Sequence, residues 1–252
     1  MNNDLAIEVR NVGHSFKGAD GGQKTVLKNL DLQIPNGQFV CLVGETGCGK
    51  TTLLNMVAGL ITPTSGQITV FGKSPRDDPN DISYMFARDA LMPWRTARAN
   101  VELALEIRGV PRSQRKARAK DELDRVGLGA YTSYYPAQLS QGMRQRVALA
   151  RTWAMDGGVT LMDEPFAALD AQTRWRLEQE FVSLWQRSPR PVVFVTHDLI
   201  EAIVVADRVI VLRKGSISLD VMVPFERPRS MEELTLDHRF HDLHTELRAA
   251  LT

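Results

Sequence analysis

Gly44-Glu45-Thr46-Gly47-Cys48-Gly49-Lys50-Thr51 stands between a short apolar run, Phe39–Val43, and a helix-period stretch, Thr52–Ala58. That order, strand then glycine-rich turn then lysine, hydroxyl and helix, is what a phosphate cradle requires. Glycines let the backbone wrap an anion with its N–H groups, and the next helix turns its positive end to the same charge. In the pattern G-x-x-x-x-G-K-[ST], Lys50 reaches the β- and γ-phosphates and the Thr51 hydroxyl ligates Mg²⁺. The expected nucleotide contacts are Gly44, Glu45, Thr46, Gly47, Cys48, Gly49, Lys50, Thr51 and Thr52.

Outward from this turn, short β-branched runs alternate with longer helix-period stretches, the mark of an α/β protein with a mostly parallel sheet. Phe39–Val43, Ile82–Phe86, Val159–Met162 and Val192–Val195 read as buried strands. Ile7–Arg10, Leu30–Ile34 and Gln67–Phe71 alternate apolar with polar and read as half-exposed strands of a second sheet. Between Ala97 and Met155 the strand signal gives way to helix formers. Leu177, Phe181, Leu184 and Trp185 share one helical face and read as core. After Pro224 the composition turns charged, and a short helix is expected around His241–Ala250.

Composition narrows the function. The 252 residues carry 31 Lys+Arg against 30 Asp+Glu, so no global charge draws the chain to nucleic acid or anionic lipid. The longest apolar stretches, Phe39–Val43 and Ala202–Ala206, fall far short of the roughly 20 residues of a membrane-spanning helix. Met1-Asn2-Asn3-Asp4 lacks the pattern of a secretion signal, and Cys41 and Cys48 are too few for a disulfide framework or zinc site. The expected compartment is the cytoplasm.

Val159–Met162 ends in Asp163-Glu164. Beside a phosphate loop, Asp163 suits Mg²⁺ and Glu164 suits a base for the water that attacks a γ-phosphate. His197, after another core strand and before Asp198, reads as a γ-phosphate contact. The bland alternative is a structural histidine.

Leu139-Ser140-Gln141-Gly142-Met143-Arg144-Gln145-Arg146, ahead of the helical Val147–Met155, resembles the signature sequence of the ABC-type ATPases. Glu164-Pro165-Phe166-Ala167-Ala168-Leu169-Asp170 resembles the family's catalytic glutamate and subunit-bridging loop, and Thr196-His197-Asp198 its switch histidine. The ordered series spans about residues 10–213. The resemblance implies ATP and Mg²⁺ as cofactors, with Lys50, Glu164 and His197 catalytic and Thr51 and Asp163 at the metal. It implies that Ser140, Gln141 and Gly142 contact ATP held by a second copy or a close relative; a plain helix cap is the simpler reading of Ser140. Phe16 falls where the family stacks an aromatic on adenine, the reading preferred over an aromatic that simply caps the sheet.

The fold so implied is a P-loop NTPase core with an antiparallel β subdomain (1–87 and 156–223), a helical subdomain (88–155) and a short tail (224–252). Asp89–Thr96 with Glu164–Phe166 and Leu169–Thr173 looks like the ATPase subunits of nitrate, sulfonate, taurine and bicarbonate importers. Importers of pyrimidine precursors look similar. That resemblance implies a membrane permease partner, a periplasmic or lipoprotein solute-binding protein, no nucleic acid, and a peripheral place on the cytoplasmic side of the membrane. Pro93-Trp94 reads either as a docking point for the permease or as packing within the helical block. The basic run Arg108–Lys120 reads as a solvated helix face, with attraction to lipid the alternative.

The sequence departs from the family at Ala87, where a glutamine usually ends the strand Tyr84–Phe86 and contacts Mg²⁺ and water. Asp89 could lend a carboxylate, the subfamily could couple without the contact, or the chain could be a slowly hydrolysing regulatory module. Gln141, in place of the more usual glycine, is a smaller departure. If Thr51 and Asp163 suffice for Mg²⁺, Ala87→Gln changes the steady-state ATPase turnover by less than about tenfold, or roughly 1.4 kcal/mol. A rise of about a hundredfold would show that the missing amide limits the chemistry.

Overall fold

The computed structural model describes residues 5–17, 22–78 and 81–252. In chain order the elements begin with β1 (Leu5–Lys17), β2 (Gln23–Pro35), β3 (Phe39–Gly44), α1 (Lys50–Val57), β4 (Ser65–Val70) and β5 (Ile82–Met85). Next come α2 (Ala97–Ile107), α3 (Arg112–Arg125), α4 (Gln141–Ala154), β6 (Val159–Asp163), α5 (Ala171–Arg187) and β7 (Val192–Thr196). The chain continues through α6 (Leu199–Val205), β8 (Arg208–Arg213), β9 (Ser216–Met222), α7 (Met231–Leu234) and α8 (His238–Leu251). Two compact units result: Met1–Pro79 with Pro189–Thr252, and Asn80–Ser188.

In the first unit, β3 runs parallel to both β7 and β8, with Val43 opposite Thr196 and Val211, and β9 closes the edge antiparallel. Every residue of β3 and β7 is buried, which explains why these strands read as continuous apolar runs rather than alternating ones. A second sheet, in the order β2-β1-β4, is antiparallel. Its β1 is much longer than the run Ile7–Arg10 suggested. Register shifts between Val9 and Val12 and between Val12 and His14 interrupt the alternation, and Asn11 sits at φ +48° with its N–H bonded to Asp31 at 2.7 Å.

In the second unit, β5 and β6 pair in parallel, Ile82 opposite Val159 and Met85 opposite Met162. The stretch expected to be helical holds α2, α3 and α4. Buried Asn100 fixes the turn before α2: its Oδ1 accepts from Met92 N at 2.8 Å, and its amide donates to the carbonyls of Met92, Arg95 and Thr96. Arg146 of α4 grips Glu180 of α5 through two bonds of 2.6 and 3.0 Å, while Trp153 meets Phe181 edge-on. On α5, Leu177, Phe181, Leu184 and Trp185 are all buried, as their spacing predicted.

The tail is longer in helix than expected and is firmly seated in the first unit. Phe240, Leu243 and Leu247 of α8 are buried, against α6 and β8. Arg229 ties the start of this tail to the end of α6. Its guanidinium donates to Ile203, Val204 and Ala206 at 2.7, 3.1 and 2.5 Å, and also to Phe225 O. Burial, with neighbouring Arg227, lowers its pKa to about 10. The terminal carbonyls of a helix need such donors, and a cation there also meets the negative end of the helix dipole. Arg229→Ala strands these carbonyls and is expected to cost about 3 kcal/mol. Thermal unfolding should show the midpoint fall by roughly 6–12 °C; a change under about 1 °C would mean that water replaces the guanidinium.

Candidate active site

The cradle of the first unit is built at the C-terminal edge of adjacent parallel strands, where α/β folds bind ligands. From β3 the chain turns through Gly44–Gly49 into α1. Gly49 adopts φ +110°, and a Cβ there would meet Leu27 Cδ2 at 2.6 Å, so neither backbone nor space admits another residue. Lys50 is buried, and its ammonium lies within the turn, donating to Gly44 O at 2.6 Å and Glu45 O at 3.0 Å. Glu45, Thr46 and Gly47 are exposed, Cys48 is buried, and Thr51 and Thr52 open the first turn of α1.

From β7, paired with β3, the chain passes through His197 at the same edge. His197 is exposed. Its turn is braced by its neighbours: the Thr196 hydroxyl donates to the buried Glu201 carboxylate and accepts from Asp198 N at 3.0 Å, and Asp198 caps α6. Phe16 is 43% exposed, with His14 edge-on at 4.6 Å. A half-open ring is free to stack.

In the second unit, Asp163 ends β6 and Glu164 comes next at φ +44°, a backbone region costly for a non-glycine residue and concentrated at functional sites. Burial, and then the Asp163 carboxylate, raise the Tyr84 phenol above its ordinary range, so it stays protonated. Ser140 caps α4, its Oγ accepting from Met143 N at 3.3 Å, and Gln141 is exposed. A Cβ on Gly142 would meet Thr173 Cγ2 at 3.1 Å. No cluster of three or more His, Cys, Asp or Glu suited to a metal occurs among the described residues. Thr51 and Asp163 are oxygen donors of the kind Mg²⁺ takes, since that ion uses one or two carboxylates and completes its shell with phosphate and water.

A group of contacts on α4 has no signature in the sequence. Arg144 Nε bonds Asp89 Oδ2 at 2.9 Å, while Asp89 Oδ1 accepts from Leu91 N at 3.1 Å. With both its oxygens engaged, Asp89 is a poor lender of a carboxylate. The buried Gln145 amide donates to Pro165 O, beside Glu164, and reaches Ala87 O at 3.5 Å. Trp94 is 71% exposed, which removes the reading in which it packs within the helices.

A buried strand, a lysine-filled glycine turn and a helix define a nucleoside-triphosphate-binding domain. The family profile described as ABC transporter matches residues 27–167, and the chain belongs to that family; it is an ABC-type ATPase. It is 44% identical over 227 residues to an uncharacterized ABC transporter ATP-binding protein of Methanocaldococcus jannaschii, covering 89% of this chain and 85% of that one. It is 42% identical to a nitrate import ATP-binding protein of Synechocystis, covering 87% and 83%. Against a Synechocystis bicarbonate transport ATP-binding protein the identity is 38%, and the chain spans only 37% of that relative's length. An ATP-binding cassette solved as a dimer in a post-hydrolysis state with ADP and Pi superposes with TM-score 0.78 at 31% identity, covering 87% of this chain and all of that one.

Gly49→Ala is expected to destabilise the first unit by about 1–3 kcal/mol and to weaken ATP binding at least tenfold. Thermal unfolding and titration with a fluorescent ATP analogue measure the two effects. Unchanged binding would mean that the turn tolerates a side chain.

Proposed function

We propose that the chain is the ATP-hydrolysing subunit of an importer for a small anion such as nitrate, sulfonate, taurine or bicarbonate, and that two copies, or one copy with a close relative, close around two ATP molecules. The observation that carries this reading is the Lys50 ammonium held inside the Gly44–Thr51 turn, where a β,γ-phosphate would meet it. Relatives named for nitrate import, bicarbonate transport and aliphatic sulfonate import support the cargo class. The dimeric neighbour supports the pairing.

Phosphoryl transfer leaves the protein mainly positioning and electrostatic work. The loop amides and Lys50 take the charge on the phosphates while Phe16 stacks on adenine. Thr51 and Asp163 would hold Mg²⁺, which when bound neutralises phosphate charge. Glu164 accepts a proton from the attacking water as that water's oxygen bonds the γ-phosphorus and the bond to the β,γ-bridging oxygen breaks, leaving ADP and phosphate. His197 donates to a γ-oxygen. Ser140, Gln141 and Gly142 present the start of α4 to the nucleotide of the other copy.

No helix among the described residues is long and apolar enough to span a membrane. The names of the importer relatives support a place at the cytoplasmic face on a permease subunit, with a solute-binding protein in the complex. Exposed Trp94, on the turn locked by Asn100, is the docking point we assign to the permease. Ala87 favours one second reading, an ATP-controlled assembly module with weak hydrolysis.

Steady-state ATPase assays with size-exclusion chromatography test the proposal. Glu164→Gln is expected to lower turnover by about 10²–10⁴-fold and to trap a dimer in MgATP, whereas Lys50→Ala abolishes both activity and pairing. A Glu164→Gln chain that stays monomeric in MgATP overturns the shared site. Equal slow turnover in wild type and Glu164→Gln instead selects the assembly module.

A further inference from the structure

The segment after β5 is fastened to α4 along its course. Besides the Arg144–Asp89 ion pair and the Gln145 amide, Arg151 donates to Asp89 O and Ala90 O, both at 2.7 Å. Ala90 itself lies at φ +45°, a conformation a non-glycine residue keeps only when its surroundings impose it. Arg144 and Arg151 lie seven residues apart, two helical turns, and so face the same way. Residues 87–90 thus ride on the helix that Ser140 caps. The side chain at position 87 is a methyl group, which offers no atom to a metal or to water, so this loop has no side-chain amide of its own through which to register nucleotide.

We infer that the Arg144–Asp89 pair is a positioning link through which the loop leading to Trp94 responds to nucleotide bound at the start of α4. The inference rests on the two-copy reading of Ser140. It assigns the response of the loop to movement of α4 as a body, with Arg144 and Arg151 as the handles. Asp89 and Arg144 touch neither phosphate nor water in this scheme; they act through the loop they hold. The pair is half-buried, its side chains 32% and 26% exposed, so it is screened less than a surface pair, and Arg144 also donates to Leu139 O at 3.0 Å.

Hydrogen exchange of the full-length chain carrying Glu164→Gln, with and without MgATP, reads the link. Asp89→Asn is the first variant, because an amide oxygen keeps the bond to Leu91 N while the charge is lost. The charge swap Asp89→Arg with Arg144→Asp is the second. In the parent, MgATP should slow exchange across 88–95 by about fivefold or more, whereas in Asp89→Asn the slowing falls below about twofold. ATP-driven pairing, measured separately by chromatography, should stay within about twofold, and the swap should restore most of the slowing. Full slowing in Asp89→Asn overturns the inference, as does a parent that pairs but shows none. Loss of pairing together with slowing, unrescued by the swap, assigns the ion pair a merely structural part and overturns it as well. A parent that does not pair overturns the two-copy reading itself, and this inference with it.

Discussion

The backbone path of Gly44–Gly49 is the constraint on which the rest depends. A Cβ on Gly44 would collide with Leu212 O and would meet Cys48 Sγ at 2.6 Å, so the turn lies flat against β8 as well as against Leu27 of β2. It is wedged between two layers before any ligand is considered. Burying Lys50 there would be expensive without partners, and two carbonyls supply them. These carbonyls keep the ammonium in the turn but do not neutralise it, because a carbonyl is a dipole and carries no net charge. A multivalent anion is the natural complement.

The same economy governs the second unit. Glu164 sits in a left-handed conformation, and the residue after it is Pro165, whose carbonyl takes the Gln145 amide. Proline disfavours helical backbone at the residue before it, and the Gln145 amide pins the Pro165 peptide on the other side. The carboxylate that would serve as base is therefore aimed by the backbone around it. α4 does this at one point along its length, grips residues 87–90 at others and offers its capped start at the end. Through these bonds α4 holds residues 87–90 and the Pro165 peptide in one frame.

The phosphate loop is legible in the sequence because its chemistry is contiguous: eight adjacent residues carry turn, charge and ligand. Asp163, Glu164 and His197 are legible because each comes after a short apolar run, and β6 and β7 begin where those runs do. The strands of the antiparallel sheet show in the sequence only in part, since bulges and the positive φ of Asn11 and Asn29 break the period-two pattern that marks a strand. The clamp on 87–90 leaves no local trace. Asp89 and Arg144 stand 55 positions apart, and nothing local to either names the other. Arg229 is hidden for a related reason: in a charged tail an arginine reads as solvated, and only the helix end it caps reveals why it is buried.

The basic run shows what geometry adds to composition. As a line of charge, Arg108–Lys120 invites an anionic surface. In the fold Arg115 meets Glu106 at 3.5 Å and Lys120 meets Asp124 at 2.6 Å, while Arg108 donates to Asp156 O and Arg115 also to Val110 O. Such exposed pairs do little for stability, but they set an acidic partner beside two of the basic residues. Only Ala119 and Leu123 of α3 are buried, and the rest of its length is mostly charged. A helix so arranged is kept by its few apolar contacts, and its paired, charged length supports the solvated-face reading. Trp94 differs in kind: its ring is exposed on a turn that four bonds to Asn100 hold rigid, and rigidity in an exposed aromatic lowers the entropy lost when a partner covers it.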